Sequence, residues 1–359
     1  MRLAIAEINL QALAHNLAQV RQFAPNSKVM AVLKANAYGH GLVKIAQHLN
    51  DADAFAVARI DEALALRAGG LTKPIVLLEG FFHQDDLPIL LANNFQTIIH
   101  DENQLRALEN AKLDEPISCW LKINTGMHRL GIAPTQLNDF YQRLQATNNA
   151  KDTINLMTHF SSADDVNDPK TAEQIALFDS LVQGKQQAHC LANSAGIIAW
   201  PAGHGDWVRP GLMMYGVSPM LNTSGKDHQL KPVMRLTTKV IAIRDVDAAQ
   251  GVGYGGCWQS AQPTKLAVVA MGYGDGYPRH ARHGTPVVIA GKRYGIAGNI
   301  SMDMISVDIG ANADGIKVGD EVVMWGPELP VEEIAQCATT IPYELVCNIT
   351  PRVSYEYLE

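Results

Sequence analysis

Short β-rich runs, several of them continuously apolar, alternate with helical patterns from residue 28 to about residue 216. A run that is apolar at every position predicts a strand buried on both faces, and apolar residues spaced by three and four predict a helix. The predicted strands span residues 29–33, 54–58, 75–78, 95–99, 117–123, 154–158, 188–191 and 207–215. The predicted helices span residues 42–49, 61–68, 87–93, 102–112, 136–145 and 172–182, with Asp61 as the N-cap of the second. Eight such alternations favour an α/β fold whose N-terminal part is a (β/α)8 TIM-like barrel.

The pattern changes after about residue 228. Strands are predicted at residues 237–243, 265–271, 286–290, 305–309 and 321–324, separated by Gly, Pro and Asp turns, and one helix is predicted at 331–338. A first strand at residues 2–8 has no barrel partner, so we expect it to join this mostly-β domain. The predicted division is therefore residues 1–8 and 229–359 for the mostly-β C-terminal domain and 9–228 for the barrel.

Composition narrows the class of protein. The 359 residues carry a net charge of −7, which argues against a general nucleic-acid binder. We find neither an apolar run of the length that spans a membrane nor a signal peptide. Five scattered cysteines without a Cys-x-x-Cys spacing favour a reducing cytoplasm over a disulfide framework or a zinc site, and no metal ligand spacing is present.

Polar residues follow five of the eight predicted barrel strands. These positions are Lys34, the segment from Asn124 to Arg129, His159, Asn193 with Ser194, and Arg209 with Gly211. Catalytic groups of such barrels lie at the C-terminal ends of the strands, and the loops after the last two strands often bind phosphate. Each residue has another explanation when taken alone: a solvated lysine, helix caps at Asn193 and Ser194, and an arginine paired with an acid.

Taken together, these residues indicate a cofactor site. A partly desolvated lysine can lose its proton and form a Schiff base with a carbonyl. Ser194 and Gly211 fall where a phosphate would be held. Lys34 next to a phosphate site suggests pyridoxal 5'-phosphate (PLP).

The chain resembles alanine racemases, PLP enzymes of the same barrel fold, over essentially its whole length. The motifs that carry this resemblance are Ala31-Val-Leu-Lys34-Ala-Asn-Ala-Tyr38-Gly-His-Gly, Leu121-Lys-Ile-Asn-Thr-Gly-Met-His-Arg129-Leu-Gly, Thr158-His159-Phe, Ala192-Asn-Ser194, Val208-Arg209-Pro-Gly-Leu-Met-Met-Tyr-Gly216, Gly251-Val-Gly-Tyr254-Gly-Gly, Gly272-Tyr-Gly-Asp-Gly-Tyr-Pro-Arg279 and Ser301-Met302-Asp303.

The resemblance implies two bases on opposite faces of the substrate Cα, Lys34 and Tyr254. Lys34 would also bind the cofactor covalently. An isolated phenol is protonated at neutral pH, so Tyr254 needs neighbours that favour the phenolate, and His159 and Arg209 are implied in that role. Arg209 would also face the pyridine nitrogen. Because an arginine does not readily give up a proton, the nitrogen would stay unprotonated and the carbanion would be less delocalised.

The remaining implied roles concern the phosphate, the substrate and a modified lysine. Arg129 would contact the cofactor phenolic oxygen and the substrate carboxylate, and Lys122 matches a lysine that is often carbamylated and holds that arginine. The Met302 backbone would contribute to carboxylate binding. Phosphate contacts are implied for Tyr38, Ser194 and Gly211.

In the family, the C-terminal domain of one subunit covers the barrel of the other. The resemblance therefore implies a head-to-tail homodimer with Tyr254, Tyr273 and Met302 supplied by the partner. Some members carry a C-terminal tyrosine that contacts the phosphate; by our alignment Pro351 stands there, which leaves that contact open for Tyr355 or Tyr357.

Three alternatives stay open at this stage. A racemase of broader specificity for alanine and serine is the nearest one. A PLP-dependent amino-acid decarboxylase of the same fold is less favoured, because the glycine triplet that holds phosphate in those enzymes is missing. A non-catalytic PLP-binding barrel would have no use for Tyr254 or for a β domain. The sequence does not separate a biosynthetic role, supplying D-alanine for peptidoglycan, from a catabolic one.

Overall fold

The computed structural model describes residues 3–359, which form two compact units. The barrel unit comprises residues 16–214 and 219–222, and the β unit comprises the residues up to 15, 215–218 and 223–359. Residues 1 and 2, at the start of the first predicted strand, lie outside the described residues. The sequence-based domain boundaries, 1–8, 9–228 and 229–359, stay a prediction. No helix in the described chain combines the length and apolar character needed to cross a membrane.

The barrel unit contains eight parallel strands, each paired with the next and the last with the first, so that the sheet closes. Strands are numbered along the chain, and β1 (Ile5–Asn9) precedes the barrel. The barrel strands are β2 (Lys28–Val32), β3 (Ala54–Val57), β4 (Ile75–Leu77), β5 (Phe95–Ile99), β6 (Cys119–Lys122), β7 (Asn155–Met157), β8 (His189–Cys190) and β9 (Trp207–Val208). Nearly every residue of these strands is buried, as continuous apolar runs predict. The predicted barrel is confirmed.

Helices follow most of these strands. They span Leu10–Phe23, Leu42–His48, Ile60–Ala68, Leu87–Ala92, Glu102–Asn110, Leu137–Ala146, Lys170–Val182 and Ser194–Ala199, with a helical turn at Lys34–Gly39. Helix Leu10–Phe23 was not predicted, although its buried Leu10, Leu13, Leu17 and Val20 recur at helical spacing.

The last barrel strand is much shorter than predicted. We expected a strand through residues 207–215, but β9 ends at Val208 and a 3-10 turn occupies Leu212–Tyr215. Pro210 has no N–H to donate to a neighbouring strand, and its carbonyl instead accepts from the Val32 N–H at 2.9 Å. Arg209 therefore stands just beyond the strand end and not within it.

The β unit is built on one eight-stranded sheet. Its strands lie in the order β11-β14-β13-β12-β15-β10-β1-β16, and an additional β10–β11 pairing closes six of them into a ring. The strands of this unit after β1 are β10 (Met234–Val246), β11 (Thr264–Val269), β12 (Pro286–Ile289), β13 (Lys292–Ile296), β14 (Ile305–Asp308), β15 (Glu321–Trp325) and β16 (Ser354–Leu358).

The mostly-β character of this unit is confirmed, with three elements missed. Strands β13 and β16 and the helix Pro342–Cys347 were not predicted, whereas helix Val331–Cys337 was. Strand β1 runs antiparallel to β10 and parallel to β16, so the N-terminal strand belongs to this sheet. In β16 the half-buried Tyr355 and Tyr357 alternate with the exposed Glu356 and Leu358, a weak signal for a strand near a chain end.

Candidate functional site

The cationic residues predicted at the barrel strand ends lie within electrostatic range of one another. Burial, together with the positive charges of Arg209, Arg129 and Lys34, lowers the pKa of Lys122 to about 7, whereas the charge of Glu79 acts in the opposite direction. Lys122 is 7% exposed. Four cations and one carboxylate at the same end of the barrel form a strongly electropositive mouth, which is suited to an anionic ligand.

The guanidinium of Arg209 is fixed by the backbone of neighbouring strands. Its Nη1 donates to the carbonyl of Cys190 at 3.0 Å and to the Cys190 Sγ at 2.8 Å. Its Nη2 donates to the carbonyls of Thr158 at 2.7 Å and Leu191 at 3.1 Å, and lies 3.3 Å from His159 Nδ1. From the sequence we considered that Arg209 pairs with an acidic side chain, but no carboxylate is among these contacts. A buried arginine held by carbonyls keeps its charge unneutralised.

His159 follows β7 and stays neutral in this environment. Desolvation is the main cause that holds its pKa well below the ordinary value, followed by the charges of Arg209 and Lys122. A guanidinium can only donate, so the contact with Arg209 makes Nδ1 of His159 the acceptor. The neutral ring therefore carries its proton on Nε2.

Lys34 follows β2 and opens a left-handed turn. Ala35, Asn36, Ala37 and Tyr38 all have φ between 52° and 55°. The Ala37 N–H donates to the Leu33 carbonyl at 2.8 Å. Small residues follow Lys34 in the sequence, but the left-handed form of this turn was not predicted, because alanine and tyrosine rarely adopt positive φ.

Three of the residues expected at a phosphate meet at the end of β9. The Ser194 hydroxyl accepts from the Gly211 N–H at 2.8 Å and from the Met213 N–H at 3.3 Å. A Cβ added to Gly211 would lie 2.5 Å from the Tyr38 hydroxyl, so a larger residue there would displace that phenol. The cap of helix Ser194–Ala199 is Asn193, whose Oδ1 accepts from the Gly196 N–H at 2.9 Å. Ser194 is thus not a helix cap.

The loop that carries Arg129 is shaped by Asn124. Its Oδ1 accepts from the N–H groups of Gly126 at 3.1 Å and His128 at 2.9 Å. The Thr125 hydroxyl lies 2.8 Å from the Thr158 hydroxyl, which ties this loop to the segment that leads to His159. Arg129 itself is exposed.

The remaining predicted site residues belong to the β unit and cluster there. The N–H groups of Tyr273 and Gly274 donate to the carbonyls of Ser301 at 3.1 Å and Met302 at 2.9 Å. Asn299 Nδ2 donates to the Tyr254 carbonyl at 2.9 Å. The side chains are exposed, 68% for Tyr254, 39% for Tyr273 and 51% for Met302, with Met304 at 46%. Large exposed apolar side chains in one place mark an interaction surface.

The barrel-mouth residues fit pyridoxal phosphate by their chemistry. The Ser194 hydroxyl and the Tyr38 hydroxyl both lie close to Gly211, and two hydroxyls in one place are donors that suit a phosphate. The unneutralised charges of Arg209 and Arg129 suit further anionic or acceptor groups. Lys34 supplies the amine that a carbonyl group requires.

Several neighbours of these residues were not singled out from the sequence. Glu79 directly follows a predicted strand, so its position at a strand end was the available signal. Cys190 is buried in β8, and its thiol accepts a hydrogen bond from Arg209. Glu62 replaces the predicted cap Asp61: its carboxylate accepts from the N–H groups of Ala58 at 2.9 Å and Arg59 at 3.3 Å.

Comparison with protein families and curated proteins gives full-length matches. The alanine racemase N-terminal domain family matches residues 8–219, and the alanine racemase C-terminal domain family matches residues 233–357. The chain is similar to the alanine racemase of Vibrio cholerae, with 54% identity over 357 residues and 99% of both chains covered. It is also similar to that of Vibrio atlanticus, with 53% identity over 359 residues and 100% of both covered.

Solved structures agree with these matches. The biosynthetic alanine racemase from Pseudomonas aeruginosa superimposes with a TM-score of 0.97 at 40% identity, and all of both chains is covered. The alanine racemase from Acinetobacter baumannii gives a TM-score of 0.94 at 36% identity, again over all of both chains. With two domain families in the expected order and relatives above 50% identity over the full length, the chain belongs to the alanine racemase family.

Proposed function

We propose that this chain is a PLP-dependent alanine racemase that interconverts L-alanine and D-alanine. The observation that carries the proposal is the set of four cations, Lys34, Lys122, Arg129 and Arg209, gathered at one barrel mouth of a chain from this family. We further propose a cytoplasmic enzyme that supplies D-alanine for peptidoglycan or degrades alanine.

The residues that would hold the cofactor come from the barrel unit. Lys34 would bond to its carbonyl carbon, and Arg209 and Arg129 would donate to its ring nitrogen and phenolic oxygen. Tyr38, Ser194 and Gly211 would hold its phosphate. When bound, PLP withdraws electrons from the substrate and makes the Cα proton more acidic.

The two proposed bases are the amine of Lys34 and the phenolate of Tyr254. A racemase removes the Cα proton from one face and returns a proton to the other, so each face needs its own acid–base group. Neutral His159, with its proton on Nε2, can stabilise a phenolate by donating to it, and Arg209 fixes the ring through Nδ1. Arg209 would thereby act on both the pyridine nitrogen of the cofactor and, through His159, the phenolate of Tyr254.

Tyr254 is proposed to act on the barrel of a partner subunit in a head-to-tail homodimer. The exposed cluster of Tyr254, Tyr273, Met302 and Met304 supports this, because a monomer would leave these apolar side chains in water. Met302 would contribute its backbone to binding the substrate carboxylate, together with Arg129. A second copy of the chain would then complete each site.

Lys122 is proposed as a carbamylated lysine. With a pKa of about 7, part of its population is a neutral amine at physiological pH, which is the form that reacts with carbon dioxide. The carbamate is an anion and would balance Arg129 and Arg209. In [13C]bicarbonate, a carbamate carbon signal in the NMR spectrum that disappears in Lys122→Gln is expected; its absence from the unsubstituted protein would refute the modification.

The test of the cofactor assignment is a visible absorbance spectrum of the purified protein with PLP. We expect the band of a lysine-bound pyridoxal in the unsubstituted protein and in Lys44→Ala, an exposed control on helix Leu42–His48. Lys34→Ala should lack the band. A band in Lys34→Ala would place the covalent bond elsewhere, and its absence from all three proteins would refute the PLP assignment.

A further inference from the structure

The turn after Lys34 is strained, and its shape has to be held by surrounding groups. Four consecutive residues, Ala35 to Tyr38, lie in the left-handed region. The other positive-φ residues besides glycine in the described chain occur singly along the sequence. A left-handed helical conformation is unfavourable at every non-glycine residue, so such a run persists only where its surroundings determine it.

Part of this support comes from within the turn. The Gly41 N–H donates to the Asn36 carbonyl at 3.0 Å, and the Leu42 N–H donates to the Asn36 Oδ1 at 2.9 Å. The buried His40 Nδ1 lies 2.8 Å from the Tyr38 carbonyl. These contacts stabilise the end of the turn that is distant from Lys34.

The end next to Lys34 is held by a carboxylate from another βα unit. The Ala35 N–H, the first amide after Lys34, donates to Glu62 Oε1 at 2.6 Å. The other oxygen, Oε2, accepts from Ala58 at 2.9 Å and Arg59 at 3.3 Å. Both oxygens are thus engaged, and the carboxylate joins the ends of β2 and β3. Hydrogen bonds from amides to a carboxylate are stronger than those between neutral groups.

The position of Glu62 explains why its carboxylate can act in this way. Glu62 is the third residue of helix Ile60–Ala68, where the exposed N–H groups at the helix start favour a negative charge. Asp61, its neighbour in the same helical turn, is exposed and has no such contact with the Lys34 turn. The chain therefore carries two adjacent carboxylates, of which one reaches the turn.

We propose that Glu62 is a positioning residue of the reaction, whose carboxylate holds the left-handed turn and thereby the direction of the Lys34 side chain. This role rests on the proposed function of Lys34 but not on the identity of the substrate. Glu62 does not touch the reacting atoms and acts through the backbone of Ala35.

The test combines hydrogen exchange with kinetics on the full-length protein as purified. In Glu62→Gln, the side-chain NH2 group of the glutamine replaces one acceptor oxygen of the carboxylate. It then faces a backbone N–H from which it cannot accept a hydrogen bond. We expect amide exchange across residues 33–41 to become at least about tenfold faster, as for the loss of a charge-assisted hydrogen bond. The kcat/KM for alanine should fall by at least a similar factor of about ten. Asp61→Asn removes the same charge from the same helical turn and should change neither quantity.

A second variant separates this role from simple helix capping. Glu62→Asp keeps the charge but is one methylene shorter, so it should still bind the helix amides while losing the Ala35 contact. In Glu62→Asp, amide hydrogen exchange should then accelerate more at residues 33–41 than at residues 58–68. Faster exchange confined to 58–68, or wild-type exchange across 33–41 in both Glu62 variants, would overturn the proposal. If the unsubstituted protein fails to racemise alanine, the proposed function fails, and the exchange result still decides whether Glu62 holds the turn.

Discussion

Arg209 Nη2 lies 3.3 Å from Nδ1 of His159. The charge of Arg209 adds to desolvation in holding the pKa of His159 well below its ordinary value. The arginine is itself fixed by the carbonyls of Thr158, Cys190 and Leu191. This pair therefore links a rigid part of the barrel to a neutral imidazole that has one N–H left to donate.

Replacing Arg209 with lysine should be far from conservative. An ammonium group lacks the planar set of donors that reaches three carbonyls, a thiol and an imidazole at once. We expect Arg209→Lys to lower kcat/KM for alanine by at least about 100-fold, within the range lost when charge-assisted hydrogen bonds are removed. The exposed Arg293→Lys is the matched control. A change of less than about twofold in Arg209→Lys would contradict the role given to this guanidinium.

Mixing two inactive variants tests whether the site is shared between subunits. Lys34→Ala and Tyr254→Phe should each lose at least about 100-fold in kcat, the range for a missing acid–base group. In a head-to-tail dimer that contains one subunit of each, one site has both substitutions and the other has neither. Random association should therefore restore about one quarter of the wild-type activity. Co-expressed subunits with no recovered activity would indicate that Tyr254 acts on its own chain.

Arg352 connects the turn that bears Tyr273 with the turn that bears Met302. Its Nε lies 3.1 Å from Asp275 Oδ1, and its Nη2 lies 2.7 Å from Asp303 Oδ1. We expect Arg352→Gln to raise the KM for alanine by about tenfold with a smaller effect on kcat, because Met302 would be misplaced and not lost. The pair with Asp303 is exposed, and its loss alone should cost less than about 1 kcal/mol of stability, whereas buried Asp275 would lose a charged partner and add to that cost.

Arg293→Gln is the matched control for Arg352. Arg293 pairs with Glu333 at 2.8 Å in the same unit and has a similar exposure, 52% against 49% for Arg352. Arg293→Gln should leave the KM for alanine unchanged. An equal rise in KM for both variants would show that the effect is a general consequence of removing surface charge.

Acidification should weaken the Lys34 turn through His40. Burial lowers the pKa of His40 to about 4, against the opposing hydrogen bonds with the carbonyls of Tyr38 and Ala37. The unfolded chain then binds more protons than the folded one as the pH falls from about 6.5 towards 4, so stability decreases in that window and is unaffected above it. The loss is at most about 1.4 kcal/mol per pH unit.

Urea unfolding at pH 7.5 and pH 5.5 measures this effect. His40→Gln keeps a donor for the Tyr38 carbonyl but does not titrate. Its stability should therefore fall less on acidification than that of the unsubstituted protein. Equal losses in the two proteins would mean that other groups cause the pH dependence.

The sequence predicted the architecture well because its main signal is local. Continuous apolar runs mark strands such as β3 (Ala54–Val57), predicted over residues 54–58, and parallel strands place their C-terminal ends together. Lys34, His159 and Arg209 could therefore be assigned to one barrel mouth without coordinates. The overlong final strand arose because Pro210 and Gly211 interrupt the ladder inside an otherwise apolar run.

The contacts that tune these residues were beyond the sequence. Glu62 and Ala35 are 27 residues apart, and only the closed barrel brings the carboxylate to that amide. The same holds for Arg209 and its carbonyl partners, because backbone acceptors leave no trace in residue identity. The left-handed turn was hidden for a related reason: local propensity opposes positive φ at alanine, and tertiary contacts override it.

The most direct test of the account is racemisation of alanine by the purified protein with PLP. L-alanine and D-alanine are incubated in separate reactions, and both enantiomers are quantified over time by chiral separation. The account predicts that both reactions converge on equal amounts of the two enantiomers with no loss of total alanine, and that Lys34→Ala abolishes the conversion. Failure to interconvert the enantiomers, or release of carbon dioxide from an amino acid in place of racemisation, would contradict it.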